Sequence, residues 1–106
     1  MNSKIELSES HNGEGNFIIR GAVNFESIQS LNQHASELFP RFKRIVVDLS
    51  GVTYVNSAGL ALLLEWKRMA AADNKTMELR AVPQKLLNIA RMSELEDILS
   101  LQETND

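Results

Sequence analysis

The sequence predicts an α/β fold in which helices pack on a sheet that contains parallel strands. Two observations lead to this class. Apolar residues alternate with polar ones in some segments and recur every three to four residues in others. The two kinds of segment also alternate along the chain, in the order two strands, helix, strand, helix, strand, helix. Strands separated by helices favour parallel pairing. The crossover helix returns the chain to the end of the sheet at which the previous strand began, so the next strand runs in the same direction.

A β-hairpin is predicted over residues 4–23. Residues 4–8 alternate between apolar and polar side chains, which is typical of an edge strand with one face in water. The cluster of glycine and asparagine over residues 12–16 favours a turn, because these residue types tolerate a positive φ angle. The second strand of the hairpin is expected over residues 17–23.

A helix is predicted after the hairpin, with Asn24 as its N-terminal cap and Pro40 at its end. Its apolar side chains recur at the three-to-four spacing that places them on one face. They are Phe25, Ile28, Leu31, Ala35, Leu38 and Phe39.

The apolar run in residues 44–50 predicts the central strand of the sheet. Ile45, Val46 and Val47 do not alternate with polar residues, which is typical of a strand covered on both faces. A loop over residues 51–56 and a long helix over residues 57–72 are expected to follow, since that second segment is rich in Ala and Leu.

The C-terminal third predicts a further strand over residues 77–81 and a helix over residues 84–92, with Pro83 at the helix start. Ser93 and Glu96 have capping-box spacing, which predicts one more short turn before residues 98–101. We therefore expect residues 1–106 to form a single domain, with residues 102–106 as a flexible tail.

Composition argues against several classes of function. The net charge is −3, which disfavours nucleic-acid binding. Cysteine is absent from the sequence, which excludes disulfides and thiolate metal sites. The longest apolar run, residues 60–64, is far shorter than the roughly 20 residues of a membrane span. We therefore expect a cytoplasmic protein that reaches a membrane only through a partner.

No catalytic site, metal site or cofactor is predicted. His34, Asp48 and Ser57 occur in an order that some serine hydrolases use, but no Gly-x-Ser-x-Gly elbow surrounds Ser57. His11 has no acidic or histidine partner at the spacing of metal ligands. The sequence also lacks a glycine-rich phosphate loop. The protein is therefore not expected to be an enzyme.

Ser57 is the candidate functional residue, because it lies where the predicted central strand turns into the long helix. Unpaired backbone N–H groups and the positive end of the helix dipole face outward at such a position. One interpretation is structural, with Asn56 or Ser57 as the N-cap. The other is a switch, since a phosphate on Ser57 would alter the surface that a partner meets. Gly59 in the first turn indicates close approach of another backbone.

The long helix carries more apolar surface than one sheet contact requires. Leu62, Trp66 and Met69 extend the apolar arc around its side. Either a neighbouring helix, such as the one after Pro83, covers this stripe, or the stripe binds a partner, since Trp and Met are enriched at interfaces.

The chain resembles the STAS domain family of anti-sigma-factor antagonists and sulfate-transporter tails. The resemblance rests on two stretches, Val46-Val47-Asp48-Leu49-Ser50-Gly51-Val52 and Asn56-Ser57-Ala58-Gly59-Leu60. It implies a four- to five-stranded mixed sheet flanked by helices. It also implies that Ser57 matches the serine that partner kinases phosphorylate in the antagonist branch, although that branch usually has Asp where this chain has Asn56.

Within that family, the run Gly59-Leu60-Ala61-Leu62-Leu63-Leu64-Glu65-Trp66 is more similar to the small cytoplasmic STAS subunit of the Mla-type phospholipid ABC transporter. This similarity implies a subunit that binds and supports an ABC ATPase in intermembrane lipid transport and outer-membrane lipid asymmetry. The similarity implies a contact with the ATPase near Ser57. Together with the apolar stripe of the helix, it leads us to expect contact residues at Asn56, Ser57, Ala58, Gly59, Leu62, Trp66 and Met69. An antagonist of an anti-sigma-factor kinase, regulated by phosphorylation of Ser57, is the alternative.

Overall fold

The computed structural model describes residues 3–95 and residue 97. Its elements, in chain order, are β1 (Lys4–His11), β2 (Glu14–Val23), α1 (Ile28–Leu38), a 3-10 turn (Phe39–Arg41), β3 (Arg44–Val55), α2 (Ser57–Ala72), β4 (Thr76–Arg80) and α3 (Gln84–Met92). The predicted capping box at Glu96, the short turn before residues 98–101 and the tail at residues 102–106 lie outside the described residues.

The four strands form one mixed sheet in the order β1-β2-β3-β4. β1 and β2 are antiparallel, whereas β2 pairs with β3, and β3 with β4, in parallel. The hairpin between β1 and β2 turns at Asn12 and Gly13, which both have positive φ angles, of 50° and 83°. The helices α1 and α2 form the two parallel crossovers. The fold class, the hairpin and the interior position of β3 are therefore as predicted.

The described helices pack on one face of the sheet. The buried residues of all three helices share one core cluster with Phe17 and Ile19 of β2 and with Ile45 and Val47 of β3. Side chains of a strand alternate between the two faces, so Val46 points away from this cluster. It is buried, at 2% exposure, between its register neighbours Asn16 and Glu78 rather than under a helix. Ile45, Val46 and Val47 are therefore buried on both faces of the strand, as predicted, although the described helices cover only one of these faces.

Charged side chains occupy that opposite face instead. Arg44 forms ion pairs with Glu14 (Nε–Oε1, 2.9 Å) and with Glu78 (Nη2–Oε1, 2.7 Å), so it bridges β2 and β4 across β3. Arg80 donates a hydrogen bond to Glu78 (Nε–Oε2, 2.8 Å), and this bond lowers the pKa of the Glu78 carboxyl. A polar face of this kind is typical of a sheet that packs helices on only one side.

The first helix begins later than its apolar spacing predicts. Asn24 closes a turn, in which its Oδ1 accepts hydrogen bonds from the N–H groups of Glu26 and Ser27 at 3.0 and 3.1 Å. The helix itself begins at Ile28 with Ser27 in the N-cap position. Phe25 precedes the helix and is 79% exposed. The prediction that it belongs to the apolar face of the helix is therefore wrong. The end is close to the prediction, since Pro40 lies in the 3-10 turn that follows α1.

The central strand is longer than predicted, because residues 51–55 continue it. The register of β2 with β3 runs on through the pairs Arg20↔Gly51 and Val23↔Val55, with irregularities on the way. Gly51 permits this pairing, since a Cβ atom there would lie 2.8 Å from the carbonyl oxygen of Ile19. Pairing with a long neighbouring strand thus overrides the local loop signal of residues 51–56.

Candidate functional site

The strand ends of β2 and β3 place the candidate site at one end of the sheet. The parallel register closes with the pair Val23↔Val55, and the N–H of Asn56 donates to the carbonyl oxygen of Val23 at 3.4 Å. The chain then leaves β2 through the turn at Asn24 and leaves β3 through the first turn of α2. The carboxyl ends of parallel strands are the usual location of binding sites in α/β sheets.

Asn56, not Ser57, is the N-cap of α2. Its backbone is extended and its Oδ1 accepts a hydrogen bond from the N–H of Ala58 at 3.0 Å. Ser57 is the first residue of the helix and its side chain is exposed. Among the residues that the structure describes, its hydroxyl has no hydrogen-bond partner. The fold therefore uses Asn56 to begin the helix and leaves the Ser57 hydroxyl available to a ligand or partner.

Gly59 holds the first turn of α2 against the sheet. A Cβ atom at this position would lie 2.7 Å from the carbonyl oxygen of Val23 and 2.7 Å from Cγ2 of Val55. Both distances are shorter than real Cβ contacts. Gly59 is buried, and its expected close approach to another backbone is confirmed, with β2 as the neighbour. Its contribution to the site is to place Ser57 rather than to present a side chain.

Two exposed aromatic residues lie at the same end of the sheet as Ser57, and neither was predicted to belong to the site. Phe25 follows the end of β2 and is 79% exposed, while Tyr54 lies near the end of β3 and is 47% exposed. The ammonium group of Lys85 lies over the Tyr54 ring, 4.9 Å from its centroid. The sequence signal for Tyr54 is its position next to the end of a strand, and that signal depends on where β3 ends.

The expected docking stripe on α2 is largely buried. The prediction that Leu62, Trp66 and Met69 form one exposed surface is therefore wrong. Leu62 and Trp66 are 8% and 2% exposed. The Trp66 ring packs edge-on against Phe39 at 5.2 Å, and its Nε1 donates to Oδ1 of Asn32 at 2.8 Å. Helix α1 and the turn after it therefore cover Trp66, rather than the helix after Pro83. Met69 is 45% exposed, near the opposite end of α2 from Ser57.

The residues considered as a hydrolase triad do not form a hydrogen-bonded set in the described chain. Asp48 accepts a hydrogen bond from the N–H of Ser50 at 2.8 Å, and His34 is exposed on α1. No group of three or more possible metal ligands occurs within residues 3–95 and 97. No helix in this part of the chain has the length and hydropathy needed to cross a membrane.

A family comparison adds to this geometry. The family model described as "Mlab, STAS domain" matches residues 9–102, which include the hairpin turn, the strand end at Val55 and the first turn of α2.

The chain belongs to the STAS domain family. Solved structures agree with this fold. The anti-sigma-factor antagonist SpoIIAA in its unphosphorylated form has a TM-score of 0.66 and 12% identity, over 83% of this chain and 82% of that one. An anti-sigma-factor antagonist from Mycobacterium paratuberculosis has a TM-score of 0.66 and 18% identity, over 88% and 80%. Mglu has a TM-score of 0.61 and 20% identity over 71% of this chain, which corresponds to 19% of the Mglu chain. At these identities the likeness shows a shared fold.

The assignment of the N-cap in this STAS domain leads to a paired test. Replacing Asn56 by Ala removes the acceptor for the Ala58 N–H and should lower the free energy of unfolding by about 1 kcal/mol. Replacing Ser57 by Ala should change it by less than about 0.5 kcal/mol, because the exposed hydroxyl has no partner. Urea unfolding followed by circular dichroism measures both values. Equal losses would mean that the serine shares in capping.

Proposed function

We propose that this STAS domain is a non-catalytic interaction subunit that binds and supports the ATPase of a phospholipid-transport ABC complex. The contact is the Ser57 surface, which comprises Phe25, Tyr54, Asn56, Ser57 and Ala58. One observation carries the proposal: Ser57 is exposed at the start of α2 while Asn56 provides the cap. The description of the matching family model, which names Mlab, supports the lipid-transport branch.

The chemistry of the Ser57 surface favours a protein partner. Phe25 and Tyr54 offer exposed apolar area, and aromatic side chains are enriched among the residues that contribute most to protein–protein binding. Ser57 adds a hydrogen-bonding hydroxyl at the positively polarised first turn of α2. A small hydroxyl at this position permits close packing of a partner's backbone or side chain.

In this proposal the chain acts as a single domain at the cytoplasmic face of the inner membrane. It reaches the membrane through the ATPase to which it binds. The absence of a spanning helix within the described residues is consistent with that placement. Gly59 supports the contact indirectly, because it allows the first turn of α2 to pack closely against β2 and β3 and so positions Ser57.

The substitution Ser57→Glu tests the proposal. A carboxylate at the first position of a helix is compatible with the helix dipole, so we expect the fold to remain intact. Its bulk and charge should weaken binding to the ATPase by more than tenfold, because the partner packs against a small hydroxyl. The measurements are co-purification with the co-expressed ABC ATPase and ATP turnover of the complex.

Ser10→Glu is the matched control, since Ser10 is an exposed serine on β1 near the hairpin turn, at the other end of the sheet. It should bind like the unmodified chain. Full binding and turnover with Ser57→Glu, or an ATPase that assembles and works equally well without this chain, would contradict the proposal. An unfolded Ser57→Glu variant would instead assign the serine a structural role.

A second function is an anti-sigma-factor antagonist that phosphorylation of Ser57 regulates. Two antagonists share the fold, and the accessible hydroxyl of Ser57 is suited to modification. The resemblance noted above implies Asp before the serine, where this chain has Asn56. A carboxylate would accept the Ala58 N–H as the Asn56 amide does, so Asn56→Asp should retain the cap. Intact-mass measurement after incubation with candidate kinases and ATP separates the two functions, because only the second requires a phosphate on Ser57.

A further inference from the structure

A second surface lies at the far end of α2 from the Ser57 surface. Met69 is twelve residues beyond Ser57, which places it about 18 Å further along the helix. A groove opens there between α1 and α2. Its lining includes Asn32 and Ser36 of α1, Phe39 after it, and Trp66, Met69 and Asp73 on or beside α2. We refer to it as the α1–α2 groove.

The size of the α1–α2 groove limits what it can accept. Its cavity has a volume of about 100 Å³ and is open to solvent on one side. An apolar cavity of about 150 Å³ accommodates one benzene molecule. The α1–α2 groove is smaller than this, so it has room for one aliphatic side chain and not for the acyl chain of a lipid. Apolar side chains form most of its wall, so an apolar group would gain most from entering it.

Two charged residues of the described part of the chain line the groove, Asp73 and Lys75. Asp73 forms no ion pair with any of the described residues. A ligand that carries a positive charge beside its apolar group would meet this free carboxylate.

The ammonium group of Lys75 is held by backbone carbonyl oxygens and does not pair with the Asp73 carboxylate. The Nζ of Lys75 donates to the carbonyl oxygen of Phe42 at 2.7 Å, and to those of Phe39 and Pro40 at 3.3 Å. Its ammonium group is thus directed at the end of the 3-10 turn within its own chain. An acidic ligand, such as a fatty acid or an anionic lipid headgroup, would find the free carboxylate of Asp73 and no free cation among the lining residues.

We propose that the α1–α2 groove binds a segment of a protein partner in which one apolar side chain is flanked by Lys or Arg. The flexible side chain of Met69, which is 45% exposed, adapts to the entering group, and Trp66 and Phe39 form the apolar wall. Because the groove and the Ser57 surface lie at opposite ends of α2, one copy of the domain can hold two partner segments at once. This goes beyond the proposed function, which uses only the Ser57 surface.

Binding can be measured directly, because Trp66 is the single tryptophan of the chain and lies in the groove wall. The probe is a capped pentapeptide with one central leucine between two lysines. Two matched peptides replace the lysines by glutamates or the leucine by alanine. We expect a saturable change in Trp66 fluorescence and in its indole N–H resonance with the first peptide, and affinity at least tenfold weaker with the other two.

Variants then locate the site. Met69→Lys should weaken binding of the lysine–leucine peptide at least tenfold, because it adds a like charge at the rim. Met92→Lys is the matched control, since Met92 is a methionine that is 85% exposed on α3. Asp73→Asn should remove the preference for lysine over glutamate. Ser57→Glu should leave peptide binding unchanged, so a failure of the proposed function would not affect this result.

Three outcomes would overturn the proposal. The first is the absence of a saturable change in fluorescence and in the indole resonance. The second is binding of the glutamate peptide, or of decanoate, as tightly as the lysine peptide, which would indicate an acidic or lipid ligand. The third is an equal loss of binding in Met69→Lys and Met92→Lys, which would place the contact elsewhere.

Discussion

Replacing Trp66 by Asp should lower the free energy of unfolding by about 4 kcal/mol or more. Truncating a buried tryptophan typically costs about 3 to 5 kcal/mol. An aspartate at a position that is 2% exposed adds the cost of burying an unpaired charge. A domain of this size is stable by about 5 to 15 kcal/mol in total. Urea unfolding followed by far-ultraviolet circular dichroism measures the loss without relying on tryptophan emission.

Two control variants show whether the loss of stability comes from the burial of Trp66. Trp66→Phe keeps a ring against Phe39 but removes the hydrogen bond to Asn32, and should cost about 1 to 2 kcal/mol. Met69→Asp changes an exposed residue of the same helix and should cost less than about 0.5 kcal/mol. A Trp66→Asp variant of normal stability that fails only to bind the ATPase would restore the interpretation of the stripe as a docking surface.

The sequence predicted those parts of the fold that depend on local periodicity. The bounds of α2 and α3 agree with the predicted helices, because their apolar spacing and the residues at their ends act within the helix itself. The hairpin agrees for a similar reason, since Asn12 and Gly13 carry the turn. The parallel pairing of β3 followed from the alternation of strands and helices along the chain.

The remaining features depend on contacts between distant segments. Nothing in the spacing of the stripe says which helix covers Trp66, because its neighbours Asn32 and Phe39 lie about thirty residues away in the sequence. The full length of β3 is set by its pairing with β2, which a local loop signal at Gly51 does not reveal. Likewise the burial of Val46 without a helix above it comes from its neighbours on two other strands.

The sequence predicted only part of the candidate site. Ser57 and Asn56 were both placed at the start of α2, but only the hydrogen bond to Ala58 decides which of them is the cap. Phe25 was assigned to a buried helical stripe because its spacing fits one, whereas the turn closed by Asn24 places it outside the helix. Its exposure could therefore not be inferred from periodicity.

Gly59→Ala separates local propensity from packing, because the two predict opposite signs. Alanine is favoured over glycine in a helix by about 1 kcal/mol, so propensity alone predicts a more stable protein. In the structure the added Cβ would lie 2.7 Å from the carbonyl oxygen of Val23, which is backbone and cannot rotate away. We expect packing to dominate and the free energy of unfolding to fall by about 2 kcal/mol or more.

Ala61→Gly in the same helix is the control, since Ala61 is exposed and only propensity applies there, with an expected loss of about 1 kcal/mol. Relief of the clash would lift the first turn of α2 away from β2 and displace the amide of Ser57. Gly59→Ala should therefore shift the Ser57 amide resonance and weaken ATPase binding, whereas Ala61→Gly should do neither. A Gly59→Ala protein more stable than the unmodified chain would show that the helix start has room to move, and that the position of Ser57 is not set by this contact.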